Sequence, residues 1–118
     1  MRFRLRALLA TVVLAVAAAG CLPQGISPPD VHDQPFLVCV RAHESDTGGG
    51  YLAYNPAGPW KGAYQFTQST WDSTAAHTGY PWLIGVDPRD ATPGEQDVIA
   101  FELYLWLGAS PWAGSGCY

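Results

Sequence analysis

One carboxylate in this chain stands where a proton donor is useful. Glu44 closes the run Phe36-Leu37-Val38-Cys39-Val40-Arg41-Ala42-His43-Glu44, whose spacing predicts a helix. Val40 and Leu37 fall one and two turns before the acid, on the face that a small domain buries. Asp33, ahead of Gln34-Pro35, supplies a side-chain acceptor for the first turn. The proline suits the first helical position, and Gly48-Gly49-Gly50 ends the helix. The acid thus sits where helix meets loop, a frequent place for chemistry. Partial burial beside Val40 raises its pKa by desolvating the charged form, which is the state a general acid needs near neutral pH. Arg41 and His43 oppose this if either points at it. The plainer alternative is a solvated residue in the last helical turn.

The residues downstream of Glu44 suit a sugar. Trp60, Tyr54, Tyr64 and Trp82 offer ring faces for stacking, and Asn55, Gln65 and Thr70 offer hydrogen bonds to hydroxyl and N-acetyl groups. Tyr64, Phe66 and Trp71 also read as core residues, and for Phe66 and Trp71 that is the preferred assignment. Other chemistries are poorly supplied. His32, His43 and His77 with Cys39 lack a regular metal-ligand spacing. No serine stands in a Gly-x-Ser-x-Gly context, and the glycines at 48–50 lack the lysine and strand of a phosphate loop. Neither a metal nor a cofactor is expected. Asp46 and Asp72 are candidates for a second carboxylate, but none is assigned.

Several elements must position these groups. Tyr51–Tyr54 and Gly62–Phe66 flank a Pro/Gly-rich connection and suggest an irregular hairpin. Gln68 to His77 reads as a helix capped by Thr67 or Ser69 and ended by Gly79. A turn-rich segment follows from Pro81 through Asp90. Thr92-Pro93-Gly94-Glu95 is a capping box with proline in the first turn. It opens Gln96 to Leu107, where apolar residues surround most of the helix, which predicts a core helix buried on nearly all sides. The fold class is α+β and mostly helical, with the Glu44 helix and a short irregular hairpin forming a cleft over one central helix.

The chain has 118 residues, enough for one domain. Met1 to Gly20, with arginines at 2, 4 and 6 before an uncharged run of about fourteen residues, reads as a signal peptide too short to span a bilayer. Cys21 after Ala18-Ala19-Gly20 resembles a lipobox cysteine that becomes acylated, although such boxes usually carry leucine where Ala18 stands. Ordinary cleavage near Ala19 is the alternative. If Cys21 is lipidated, Cys39 and Cys117 are left as a disulfide couple in an exported protein. Residues 21–35, rich in proline and glycine, read as a tether, and residues 36–118 as the folded domain. Beyond the signal, Arg41, Lys61 and Arg89 face ten carboxylates, a net charge of −7. Nucleic acid is therefore a poor partner, and membrane contact is expected only through a lipid anchor.

Five segments together resemble one family. His43-Glu44-Ser45, Asn55-Pro56, Gly62 to Asp72 (Gly-Ala-Tyr-Gln-Phe-Thr-Gln-Ser-Thr-Trp-Asp), Pro93-Gly94-Glu95-Gln96-Asp97, and Pro111-Trp112 before Cys117 are similar to the resuscitation-promoting factors and related transglycosylase-like domains. The resemblance implies a small lysozyme-like fold, similar to a goose-type lysozyme core, that acts on peptidoglycan glycan strands in cell-wall remodelling. It implies Glu44 as the single catalytic acid, Gln65 and Thr70 in the substrate groove, and Cys39–Cys117 as the one disulfide. The expected setting is the cell envelope, by lipid anchor or secretion, with a peptidoglycan endopeptidase as a possible partner. The pattern departs from the family's Glu-Ser-Gly-Gly because Asp46 and Thr47 intervene, and Cys39 lies five residues ahead of Glu44 where the family's cysteine commonly adjoins it. The rival expectation is a wall-binding or signalling lipoprotein that keeps the groove and lacks turnover.

Overall fold

The computed structural model of the chain describes residues 29–44 and 49–118. The signal peptide, Cys21, most of the tether and the Asp46-Thr47 insertion lie outside the described residues. Within those residues run four helices: α1 Pro29–His32, α2 Pro35–Glu44, α3 Gln68–Thr78 and α4 Pro93–Leu107. One antiparallel ladder joins β1 (Tyr54–Asn55) to β2 (Trp60–Lys61), and 3-10 turns occupy Gly50–Leu52, Pro81–Leu83 and Ser110–Ser115. The product is a small, mostly helical domain with a two-stranded sheet and one disulfide.

Helix α4 begins as its sequence dictates. The Thr92 hydroxyl accepts the Glu95 amide at 3.1 Å, and the Glu95 carboxylate accepts the Thr92 amide at 2.9 Å, with Pro93 in the first turn. Ile99, Ala100 and Leu103 are buried against the rest of the domain, as are the polar Gln96 and Asp97. The expectation of burial all round fails at the last turn, where Leu105, Trp106 and Leu107 are 63%, 41% and 49% exposed. At that end α3 contributes the His77 ring, which stacks on Trp106, and leaves the rest of the turn to solvent.

Helix α3 starts at Thr67, whose hydroxyl accepts the Thr70 amide at 3.2 Å, and ends at Gly79. Phe66 and Trp71 are core residues, meeting edge to face at 5.2 Å. The Trp71 indole donates to the Leu83 carbonyl and the Trp112 indole to the Tyr64 carbonyl, so neither buried N–H is left unsatisfied. Phe36 of α2 stacks on Tyr104 of α4 at 4.0 Å and meets Trp112 edge-on, which locks the Glu44 helix to the core.

Three expectations are corrected. Residues 29–35 are not tether: α1 packs on α4, and the His32 ring lies 2.8 Å from buried Asp97, so the folded body starts before residue 36. The first bond of α2 runs from the Val38 amide to the Gln34 carbonyl, which makes Gln34 the N-cap in place of Asp33. The hairpin is tighter than its flanking aromatic runs suggested, because all of its strand residues except Tyr54 fall within the stretch read as the connection. Gly62 and Gln65, with φ of 81° and 53°, turn the chain back under the ladder at 62–65, so that segment cannot continue as a strand.

Cys39 and Cys117 form the disulfide, with Cα atoms 5.9 Å apart and a sequence separation of 78. In the chain-entropy treatment a closure this long is worth roughly 4 to 5 kcal/mol. It also carries the chain's tail, with Pro111-Trp112, to the helix that bears Glu44.

Candidate active site

Glu44 is the last residue of α2 and is half-buried. It borders a cleft of about 310 Å³ whose other walls are Asn55, Trp60, Gln65, Pro111 and Trp112. Burial pushes its carboxyl above the ordinary value, and the neighbouring His43 pulls the other way. Arg41 does not aim at it. Its guanidinium donates to the Tyr64 hydroxyl at 2.7 Å and to the His32 carbonyl at 2.8 Å, and it lies 3.7 Å from Asp97. Burial disfavours the guanidinium charge, but the bond to Tyr64 and the nearby Tyr51 and Asp97 outweigh that and raise its pKa.

The ladder decides which hairpin side chains reach the cleft. Asn55 is opposite Trp60 and Tyr54 opposite Lys61, and because strand residues alternate between faces, the two pairs point to opposite sides. Asn55 and Trp60 take the cleft side. On the other side Lys61 donates to Asp87 at 2.9 Å, and the Arg89 guanidinium lies 4.8 Å from the Tyr54 ring. Asp87 is held down at a pKa of about 2: burial opposes its charge, but hydrogen bonds from Lys61 and the Arg89 amide and side chain win. Trp60 is set in advance of any ligand, since a Cβ on Gly58 would fall 1.9 Å from its ring.

Gln65 has φ of 53°, the one left-handed non-glycine residue among those described. Its amide and its side-chain Nε2 both donate to the Gly62 carbonyl, at 3.2 and 3.0 Å, which stabilises the turn that carries the side chain to the cleft. Backbone strain held in this way concentrates at functional sites. Gln65 and Trp60 also border a smaller cavity of about 140 Å³ beside Thr70, Leu103, Pro111 and Trp112. The Glu44 cleft and the Thr70 cavity therefore share walls.

The structure thus gathers Glu44, Asn55, Trp60, Gln65 and Thr70 along adjoining cavities; Tyr64 borders the smaller one, and two other predicted contacts, Tyr54 and Trp82, fall elsewhere. Tyr64 has no exposed surface and offers no ring face to a sugar. Its hydroxyl donates to Asp97 at 2.5 Å, and burial together with that bond drives its pKa far up. Tyr54 belongs to the far face of the ladder. Trp82, 44% exposed, packs edge-on against Tyr80 at 5.4 Å, outside both cavities. Asp72 is occupied too: it accepts from Gln68 and from the Gly85 amide, tying α3 to the following loop.

Sequence reasoning missed two features. Pro111 and Trp112 line both cavities, and the signal for them was the disulfide that pulls their segment toward α2. It also missed the scaffold beneath. Asp97, 2% exposed, accepts from Tyr64, Tyr51 and His32, while Gln96 accepts the Ala63 amide and donates to the Tyr51 and Ala91 carbonyls. A Cβ on Gly62 would fall 2.5 Å from the Gln96 oxygen, so only glycine fits that approach. Cys39, His43 and Cys117 are the one set of possible metal donors clustered among the described residues, within 4.8 Å of one another. Both cysteines are spent in the disulfide, which removes the thiolates a metal needs.

No protein-family profile matches the chain, and no solved structure matches it. Among curated proteins it is similar to "Probable transglycosylase SceD 3" of Staphylococcus saprophyticus, 44% identical over 69 residues, which are 58% of this chain and 27% of that protein. It is 42% identical over 69 residues to "Probable transglycosylase SceD" of Staphylococcus haemolyticus, covering 58% and 28%. It is 41% identical over 80 residues to the protein of the same name in Staphylococcus aureus (strain Newman), covering 64% and 33%. The chain spans about a third, or less, of the length of these relatives. Among the described residues no helix is long and apolar enough to cross a membrane.

Proposed function

We propose that this protein is a lytic transglycosylase or muramidase that cuts peptidoglycan between N-acetylmuramic acid and N-acetylglucosamine, with Glu44 as its general acid. The observation that carries the reading is the half-buried Glu44 carboxyl, pushed toward its protonated form, in a cleft whose remaining walls are an amide-bearing pair, two indoles and a proline. The names of the similar staphylococcal proteins support the same reaction class. Glu44 gives its proton to the glycosidic oxygen as the bond to the sugar's anomeric carbon breaks. The oxocarbenium-like centre is then trapped by that sugar's own C6 hydroxyl, giving a 1,6-anhydro end, or by water, giving a reducing end; either nucleophile returns a proton to the Glu44 carboxylate.

Among the described residues Glu44 is the one carboxylate lining the cleft, and this favours the internal trap over a paired-carboxylate mechanism. Trp60 supplies the stacking face, and Asn55 and Gln65 the hydrogen bonds to hydroxyl and N-acetyl groups. A small lysozyme-like fold, export, anchoring through Cys21 and a resuscitation role belong to this same reading. Incubating the protein with purified peptidoglycan tests it. Soluble muropeptides are expected, and their masses distinguish anhydro from reducing ends by one water. Retention on the wall with no soluble product would instead support a binding or signalling lipoprotein.

A further inference from the structure

A cavity of about 380 Å³ lies away from Glu44, lined by His77 and Thr78 at the end of α3 and by Glu102, Leu105 and Trp106 on the last turns of α4. The Trp106 indole lies flat on the His77 ring, with centroids 3.8 Å apart and planes 10° apart, yet it remains 41% exposed. With one face covered by His77, its exposure belongs to the other face and the edge. The stack fixes the indole before any ligand arrives, so little side-chain freedom is lost on binding.

Acceptors surround this platform. The Glu102 carboxylate has no hydrogen bond or ion pair among the described residues. Thr78 spends its hydroxyl proton on the Thr74 carbonyl at 2.6 Å, which leaves its lone pairs facing outward demand. Among the described residues no lysine or arginine lines the cavity. An aromatic face with carboxylate and hydroxyl acceptors and no cation suits a neutral, hydroxyl-bearing ring and repels an anion.

The position matters as much as the chemistry. His77 follows Thr70 by seven residues, which places both on one face of α3, about 10 Å apart along its axis. Trp106 follows Leu103 by three residues on α4, and Thr70 and Leu103 both line the cavity adjoining the Glu44 cleft. We propose that the Trp106–His77 stack is a distal saccharide subsite that holds the glycan strand beyond the bond cut at Glu44. That the ligand is the same polymer rests on the function proposed above.

The test uses the Glu44→Gln protein, so that the probe survives, and follows the indole N–H resonances of Trp60 and Trp106, each assigned by its Trp→Phe variant. Titration with tetra-N-acetylchitotetraose is expected to shift both. Trp106→Ala and Glu102→Gln are each expected to weaken retention on insoluble peptidoglycan by about tenfold, while Leu52→Ala, at an exposed position outside these cavities, leaves it unchanged. A Trp60 shift with a silent Trp106 overturns the subsite and spares the Glu44 cleft. A Trp106 shift with a silent Trp60 supports the subsite and overturns the cleft, and silence at both overturns the two together. Wild-type retention by both Trp106→Ala and Glu102→Gln also overturns the subsite.

Discussion

Asn55 sits directly opposite Trp60 across the two-residue ladder, and both side chains line the cleft at Glu44. A short hairpin, by the alternation of its faces, thereby sets an amide beside a ring, with the loop glycine Gly58 leaving room for the indole. Trp60→Ala is expected to raise KM about tenfold with a much smaller change in kcat, as loss of a stacking face in binding should. Steady-state kinetics on soluble glycan strands check this, and an unchanged KM would contradict it.

Asp97 anchors the network beneath the cleft. Replacing it with asparagine removes the buried carboxylate that accepts from Tyr64, Tyr51 and His32 and is expected to cost about 3 kcal/mol in urea unfolding. Urea midpoints equal to those of the wild-type protein would contradict this.

Cys39→Ser with Cys117→Ser should lower stability by roughly 2 to 5 kcal/mol, read from denaturant midpoints against the oxidised protein. Activity should fall further than stability alone explains, because Pro111-Trp112 is no longer tethered to α2. Equal midpoints in the oxidised and reduced proteins would contradict this.

Acid stability should carry the mark of Asp87, whose pKa drops in the fold to about 2 from 3.8. A depressed carboxylate pKa means that the unfolded chain binds more protons across this window, so its stabilising effect is full above about pH 4 and is lost as pH falls to about 2. Asp87→Asn is expected to be about 1 kcal/mol less stable near pH 6, with the gap closing near pH 2. Glu44 has the opposite sign. Its pKa is raised on folding above the ordinary 4.5, so its cost to stability sets in only as pH rises past that value. A wider Asp87→Asn gap at pH 2 than at pH 6 would contradict the assignment.

Much of this site was legible because its signals are local. The Thr92 capping box, the Thr67 cap with Gly79, and the apolar stripe behind Glu44 depend on residues a turn or two apart. Tyr54 and Trp82 were placed at the cleft, and Tyr64 was given a ring face for a sugar, because an aromatic side chain has the same composition whether it faces a ligand or a neighbour. The face of Tyr54 is set by ladder register, and the burial of Tyr64 by Asp97, thirty-three residues away. The exposed end of α4 was misjudged for the same reason, since an all-round apolar helix does not reveal which of its turns is only partly covered. Pro111-Trp112 joined the cleft through a bond between residues 78 positions apart, which no periodicity encodes.

The most direct measurement is the rate of muropeptide release from purified peptidoglycan by Glu44→Gln beside the wild-type protein at neutral pH. Glutamine keeps the size and hydrogen-bonding shape of the acid but has no proton to give, so release is expected to fall by about 10²- to 10⁴-fold while retention on the wall persists. Equal release by the two proteins would contradict the assignment of Glu44 as the proton donor.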